Sequence, residues 1–243
     1  MSSSAPSRPD SPARSLAVAA RSIVSCPREA HLVVDGVDDL TDGFADDELR
    51  LQDADGRPVL TVPADSALAT AARERRGAVL TLHSGLGGDD GVERDALLHL
   101  CGFLEPACTR TCECCEEQWV QIALTPQRAM LARRSEPGSA AIVPLSEFSD
   151  PGLRLNRGYL QRTAEHAGDH HHAELRRAVA ARLGRGIEEI VGARLADLRA
   201  TGLVVRWVTR DGADECWIPF GREAADPADL GVLLRDALLV DAG

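Results

Sequence analysis

The chain has 243 residues and a formal net charge of −11 at pH 7, and its permanent cations are all arginines, because it contains no lysine. Hydrophobic residues make up 44% of the sequence but aromatic residues only 3%, which predicts a core of Leu, Val, Ile and Ala. An acidic chain is repelled by phosphate backbones and anionic lipids, so nucleic acids and membrane surfaces are not expected partners.

The hydropathy pattern and the cysteines together predict a cytoplasmic protein. No stretch approaches the ~20 apolar residues that span a bilayer. Arg14 and Arg21 bracket a weak alanine-rich run that does not resemble a secretory signal. Four of the seven cysteines are too closely spaced for ordinary pairing, which is typical of a reducing compartment rather than a disulfide framework.

In chain order, the first predicted elements are a tail and a helix. Residues 1–10 are rich in Ser and Pro, and we expect them to be disordered. Ser11 and Pro12 are typical of a helix N-cap and first turn, and this helix should end near Ser25.

Short extended segments follow and predict a small antiparallel barrel over residues 11–148. One short helix, capped by Asp65, interrupts them. The predicted strands are residues 30–34, 48–52, 58–62, 78–82, 96–104, 118–124, 128–134 and 139–145. Turn signals lie at Asp55-Gly56, 84–91 and Thr125-Pro126.

From about residue 155 the pattern predicts a second, α+β domain that extends to residue 241, with the boundary within 147–156. Residues 158–183 have the spacing of one continuous amphipathic helix. Three strands and a final helix that opens at Asp226 and Pro227 complete the domain, and Asp211-Gly212 indicates a hairpin between the last two strands. The predicted strands are residues 191–198, 203–209 and 215–220.

Two parts of the sequence resemble a known architecture. A helix, a run of barrel strands and then VPLSEFSDP at 143–151 resemble the flavin-reductase-like split barrels of the pyridoxamine phosphate oxidase superfamily. The C-terminal domain resembles that of HugZ-type haem-utilisation proteins, actinobacterial ones above all. The residues that carry this second resemblance are EHAGDHHHAEL at 165–175, LADLRATGLVVRW at 195–207 and WIPFGREAADPADLGVLLRDALL at 217–239.

The resemblance implies a homodimer of split barrels with a cofactor crevice near the dimer interface. Some members of this group bind FMN and act as oxidoreductases, whereas others lack FMN and bind or degrade haem. Others again, like the plant glutamyl-tRNA-reductase-binding proteins, regulate tetrapyrrole synthesis through a partner enzyme. The family's helix pattern, Glu-His-x-Asn-x-Asp-His, falls on residues 165–171, with Gly168 in place of the usual asparagine and His170 in place of aspartate.

The histidines of this segment are the first candidates for a ligand site. On an ideal helix His171 lies near the centre of the apolar face with His170 beside it, so either imidazole could ligate haem iron. His166 and His170, four residues apart, could chelate a divalent metal. The alternative is a hydrogen-bonded core histidine at 171 with the other imidazoles in solvent. A helix break at Gly168-Asp169 would change these directions.

The resemblance also restricts which histidine could bind haem. HugZ-type enzymes use a ligating histidine near the C-terminal end of the chain, and here the last histidine is His172, so that ligand has no counterpart. The remaining candidates are His171, His170 and barrel residues such as His83 and His99.

A cysteine cluster is the second candidate site. Four thiolates suit zinc or an iron–sulfur cluster, but the spacing C-x3-C-x-C-C lacks the paired C-x2-C knuckles of recognisable sites. A ligand-free loop and a redox-sensitive disulfide remain as alternatives. The four residues are Cys108, Cys112, Cys114 and Cys115.

Arginines are the third candidate site, for an FMN phosphate, which requires several converging cations. Arg73, Arg75 and Arg76 form a basic cluster in an otherwise acidic protein, and a solvated helix end is the alternative interpretation.

From these patterns we expect a haem- or tetrapyrrole-binding protein of haem utilisation or its regulation, without FMN. An FMN-dependent oxidoreductase and a cofactor-free interaction module are the alternatives, and the sequence does not determine whether the protein is an enzyme.

Overall fold

The computed structural model describes residues 11–37, 51–87, 92–111, 118–136 and 138–238. The chain divides into two compact units, Met1–Leu153 and Arg154–Gly243, and each has its own hydrophobic core. The predicted tail over residues 1–10, and residues 48–50 of one predicted strand, lie outside the described residues.

The first unit is a curled antiparallel half-barrel sheet with helices, so the predicted α+β class is confirmed. Its elements in chain order are α1 (Pro12–Ser25), β1 (Pro27–Val34), β2 (Gln52–Ala54), β3 (Arg57–Pro63), α2 (Ala67–Arg73), β4 (Gly77–Ser84), β5 (Ala96–Thr111), β6 (Gln118–Arg133), β7 (Ala141–Val143) and α3 (Leu145–Phe148). The strand order is β1-β4-β5-β6-β3-β2, and β7 pairs with β6.

Local signals placed the first helix and the first hairpin correctly. The Ser11 hydroxyl caps α1 by accepting from the backbone N–H of Arg14, as predicted. Asp55 and Gly56 both have positive φ between the paired residues Ala54 and Arg57, which is the two-residue type I′ turn. The predicted cap at Asp65 is wrong, because the following Ser66 accepts from the Ala69 N–H and caps α2.

The predicted turn at Thr125-Pro126 is also wrong, because β6 runs through it as one 16-residue strand. Pro126 has no N–H to donate to the sheet, and it lies opposite Gly102, next to a β-bulge in β6 at Gln127. The two strands approach so closely that a Cβ on Gly102 would lie 2.1 Å from the Thr125 carbonyl oxygen. The bulge and the glycine therefore accommodate a proline that was expected to end the strand.

The second unit packs helices against a three-stranded antiparallel sheet in the order β10-β9-β8. Its elements are α4 (Arg157–His170), α5 (His172–Leu183), β8 (Gly192–Arg199), β9 (Gly202–Val208), β10 (Ala213–Pro219) and α6 (Pro227–Leu238). The predicted continuous helix over 158–183 is wrong, because His171 has non-helical dihedral angles (φ −121°, ψ 31°) and separates α4 from α5. Gly168 and the run of Asp and His that follows it are weak helix formers, which explains a break close to this point.

A buried arginine connects three distant pieces of the first unit. The Arg21 side chain is fully buried, and its Nε donates to Asp53 Oδ2 at 2.7 Å. Its Nη1 donates to the carbonyl oxygens of Phe148 at 2.9 Å and Asp150 at 3.2 Å. Burial raises the pKa of Asp53, and the charge of Arg21 opposes that rise. The charge of Arg21 therefore favours the ionised form of the buried Asp53 carboxylate.

We expect the substitution Arg21→Met to lower the free energy of unfolding of the first unit by about 3–5 kcal/mol, because it leaves Asp53 buried without its cation. Hydrogen exchange of the slowest amides of β4 and β5 measures this quantity for the first unit alone.

The matched control is Arg14→Met, which removes a more exposed arginine from the same face of α1, two turns before Arg21. Arg14 contacts Asp150 at 2.7 Å, but its side chain is 22% exposed, so we expect a loss of at most about 1 kcal/mol. A small, equal loss in both variants would contradict the structural role given to Arg21.

Candidate functional site

The half-barrel sheet has a buried face and an exposed face, which we call the outer face. In β4, the leucines at 80 and 82 are fully buried in the core, whereas Thr81 and His83 lie on the opposite side. In β5, Leu98 and Leu100 are buried and His99 lies on the outer face between them. The alternation of the two strands therefore places both imidazoles on the same surface.

Cross-strand pairing arranges the outer face in rows. The central row crosses five strands, and its members are direct partners in register: His31, Thr81, His99, Met130 and Ile142. On one side of it lies the row Glu29, His83, Leu97 and Ala132, and on the other the row Val33, Val79, Cys101 and Arg128. Val33 is 66% exposed and Ile142 is 69% exposed, so apolar side chains that the described residues leave uncovered adjoin the imidazoles.

One imidazole of the central row is held in place by its neighbour. Thr81 Oγ1 and His99 Nδ1 are 3.0 Å apart, and both side chains are half-buried. With the proton on Nδ1, this nitrogen donates to the threonine oxygen and Nε2 keeps a free lone pair. A hydrogen bond from one ring nitrogen is the usual way in which proteins orient a histidine that binds a metal through the other.

Two more histidines and a carboxylate meet where β1 pairs with β4. Glu29 Oε2 lies 3.8 Å from His83 Nδ1 and 3.9 Å from His31 Nε2. The two imidazole rings are 5.4 Å apart between centroids and nearly perpendicular, at 69°. Among the described residues, this is the one group of three His, Cys, Asp or Glu side chains whose ligand atoms all lie within 4.8 Å of one another.

Burial lowers the pKa of His83, and the positive charges that His31, Arg134 and Arg28 present to it act in the same direction. The carboxylate of Glu29 opposes this shift. The net effect favours the neutral imidazole, which is the form that binds a metal ion.

The four histidines of residues 166–172 lie in the second unit, and all four are exposed. The prediction that His171 lies on an apolar helix face is wrong, because the helix ends there and the ring is 50% exposed beside Glu174. The rings of His166 and His170 are 4.7 Å apart, and those of His166 and His171 are 5.4 Å apart. The structure thus brings His166, His170 and His171 together at the α4–α5 junction, and their assignment to haem stays a prediction.

The other two candidate sites receive less support. Cys108 is exposed on β5, whereas Cys112, Cys114 and Cys115 lie outside the described residues, so a metal site there stays a prediction.

The arginine cluster does not converge on one point. Arg73 donates to the Ala64 carbonyl, Arg75 pairs with Glu105 at 2.5 Å, and Arg76 bonds to Glu74 at 2.7 Å and to the Gly36 carbonyl at 2.9 Å. A flavin phosphate needs cations that face one crevice, and these three side chains face different partners.

The sequence identified His83 and His99 as barrel imidazoles but missed Glu29 and His31. The available signal was the alternation of PREAHLVV at 27–34, which places Glu29, His31 and Val33 on one side of a strand. Recognising the group also required the register between β1 and β4, which no local pattern contains.

No helix within the described part of the chain is both long and apolar enough to cross a membrane. Neither a family model nor a curated protein matches the sequence. Among solved structures, the chain is similar to a haem-binding protein from Mycobacterium smegmatis, with 16% identity and a TM-score of 0.39, over 96% of this chain and 99% of that one. It is also similar to a protein of unknown function from Agrobacterium tumefaciens, with 13% identity and a TM-score of 0.36, over 91% and 94% of the two chains.

We expect His83 to titrate below the ordinary histidine pKa of about 6.5 when metal is removed with a chelator. Substituting its neighbours should move this pKa in opposite directions: Glu29→Gln should lower it further, and His31→Ala should raise it. Two-dimensional NMR of the imidazole nitrogens measures both shifts. Shifts of the same sign in the two variants would contradict the described contacts.

Proposed function

We propose that this chain binds haem, or a related metal tetrapyrrole, on the outer face of its first unit, with His99 as the iron ligand. The observation that carries this proposal is the Thr81–His99 hydrogen bond in the middle of an exposed apolar surface. An axial imidazole with a fixed orientation and an apolar surface for the macrocycle are the two features that haem binding requires of a protein.

The surroundings of His99 fit a porphyrin. Along its own strand His99 lies between Leu97 and Cys101, and across the sheet it pairs with Met130. Burying such apolar surface against the flat macrocycle is favourable by roughly 25 cal/mol per Å². Arg128, the partner of Cys101 in the next row, supplies a cation for a haem propionate in a chain that is otherwise acidic.

The junction between α4 and α5 is the second candidate for the iron, through His166, His170 or His171. The observation in its favour is the clustering of the three imidazole rings. The exposed residues that adjoin His171 in the chain are polar except for Ala173, and they offer a macrocycle little apolar surface. We therefore place His99 ahead of His171.

The proposed role is the handling of haem, in its utilisation or in the regulation of its supply. Bound haem would supply an iron centre that can coordinate oxygen, and the protein would supply the axial nitrogen, the apolar surface and the exclusion of water. FMN chemistry is the weaker alternative, because Arg73, Arg75 and Arg76 do not converge on a phosphate.

A homodimer is part of the same proposal. The outer face has exposed apolar side chains at Val33, Val79, Phe103 and Ile142. A second copy of the chain would bury the part of this apolar surface that a bound tetrapyrrole does not contact. Light scattering with and without haemin measures this association, and a monomer under both conditions would contradict it.

We expect haemin to give a Soret band with the wild-type protein, and His99→Ala to weaken its binding by at least about tenfold because the axial nitrogen is lost. Thr81→Val keeps the β-branched shape and removes only the hydroxyl. It should weaken binding less than His99→Ala does, because it removes an outer partner and leaves the axial nitrogen. Absorbance titration measures all three affinities.

His171→Ala is the control for the second unit and should leave the Soret band unchanged. If His171→Ala abolished the band and His99→Ala did not, the iron ligand would lie in the second unit. If haemin gave no spectral change with the wild-type protein, haem binding itself would be rejected.

A further inference from the structure

The outer face contains a group of side chains that haem ligation by His99 does not use. Glu29 and His31 are two residues apart on β1 and share one side of the strand. His83 is the direct cross-strand partner of Glu29 and the diagonal neighbour of His31. Six consecutive pairings, from Glu29–His83 to Val34–Ala78, fix the register of the two strands. This register brings together two imidazoles and one carboxylate.

The distances in this group are close to those of a metal site. Bonds of roughly 2.0–2.2 Å in a tetrahedral Zn²⁺ site put neighbouring ligand atoms about 3.3–3.5 Å apart. The distances from Glu29 Oε2 to the facing nitrogens of His83 and His31 are 3.8 and 3.9 Å. Contractions of about half an ångström are within the reach of side-chain rotation at an exposed glutamate and an exposed histidine.

The second carboxylate oxygen has its own neighbour. Glu29 Oε1 lies 3.6 Å from Arg28 Nε, while Oε2 faces the two imidazoles. An arginine on one oxygen holds the carboxylate with the other oxygen towards the histidines, as outer partners do at known metal sites.

We propose that Glu29, His31 and His83 bind a divalent transition-metal ion, with Zn²⁺ as the ion of choice for the test. The ligands are Glu29 Oε2, His31 Nε2 and His83 Nδ1. Two histidines and one carboxylate suit borderline first-row cations and provide three ligands. At least one coordination position stays open for water or for an external ligand.

This site uses other side chains than the proposed iron site. The nearest metal ligand to His99 is His83, its diagonal neighbour across β4 and β5, whereas His99 itself is hydrogen-bonded to Thr81. The metal site therefore stands on its own contacts and does not require haem to be present.

The experiment is a titration of the full chain with Zn²⁺, followed by NMR of the imidazole nitrogens. The protein carries His166→Gln and His170→Gln, because that i, i+4 pair could chelate the same ion. We expect saturable shifts at His31 Nε2 and His83 Nδ1, and Glu29→Gln should weaken this binding by at least about tenfold. The exposed position of Glu29 allows this variant to keep its fold, which circular dichroism checks.

His99→Ala is the matched control on the same face, and it should leave the Zn²⁺ affinity unchanged. Glu29→Gln should in turn leave haemin binding unchanged, so the failure of one proposal is distinguishable from the failure of the other. Zn²⁺ that binds without moving the His31 and His83 signals, or with equal affinity in Glu29→Gln, would overturn the metal site.

Discussion

The ion pair between Arg21 and Asp53 is the interaction on which the first unit depends. A guanidinium with no exposed surface is costly to remove from water, so its bonds to a carboxylate and to two carbonyls restrict the chain to one arrangement. The partners belong to the β2–β3 hairpin, to the end of α3 and to the residues directly after it, and Arg21 belongs to α1. One side chain thus fixes the helix against two segments that are 32 and 127 residues away along the chain.

The hairpin turn next to this pair shows how strongly the sequence is restricted there. Gly56 has φ +79°, and its N–H donates to Asp53 Oδ1 at 2.8 Å. A Cβ at this position would lie 2.8 Å from the Phe148 carbonyl oxygen, the same oxygen that accepts from Arg21. Only glycine provides both the backbone conformation and the space, so the turn, the carboxylate and the helix are fixed together.

Local signals were sufficient to predict much of the fold. Tertiary contacts explain where the structure differs from the sequence-based prediction. The Ser11 cap and the Asp55-Gly56 turn were predictable because their hydrogen bonds join residues close in sequence. The continuity of β6 was not, because the proline at 126 is accommodated by Gly102 on another strand. Arg14 and Arg21 are seven residues apart and therefore share a helix face, but no local pattern shows their partners Asp150 and Phe148, which lie more than 100 residues further along the chain.

The candidate site also depends on both a local pattern and a tertiary one: alternation along each strand sets which side chains share a face, and the register between strands sets which of them are neighbours. Leu80, Leu82, Leu98 and Leu100 must be buried, and strand alternation then forces Thr81, His83 and His99 to the outer face. A slip of one residue in the pairing of two strands would move a whole set of side chains to the wrong face, at the cost of that burial. The core therefore fixes the register, and the register sets Thr81 beside His99 and Glu29 beside His83. The half-buried imidazoles of His83 and His99 are therefore placed by leucines on the opposite face of the sheet.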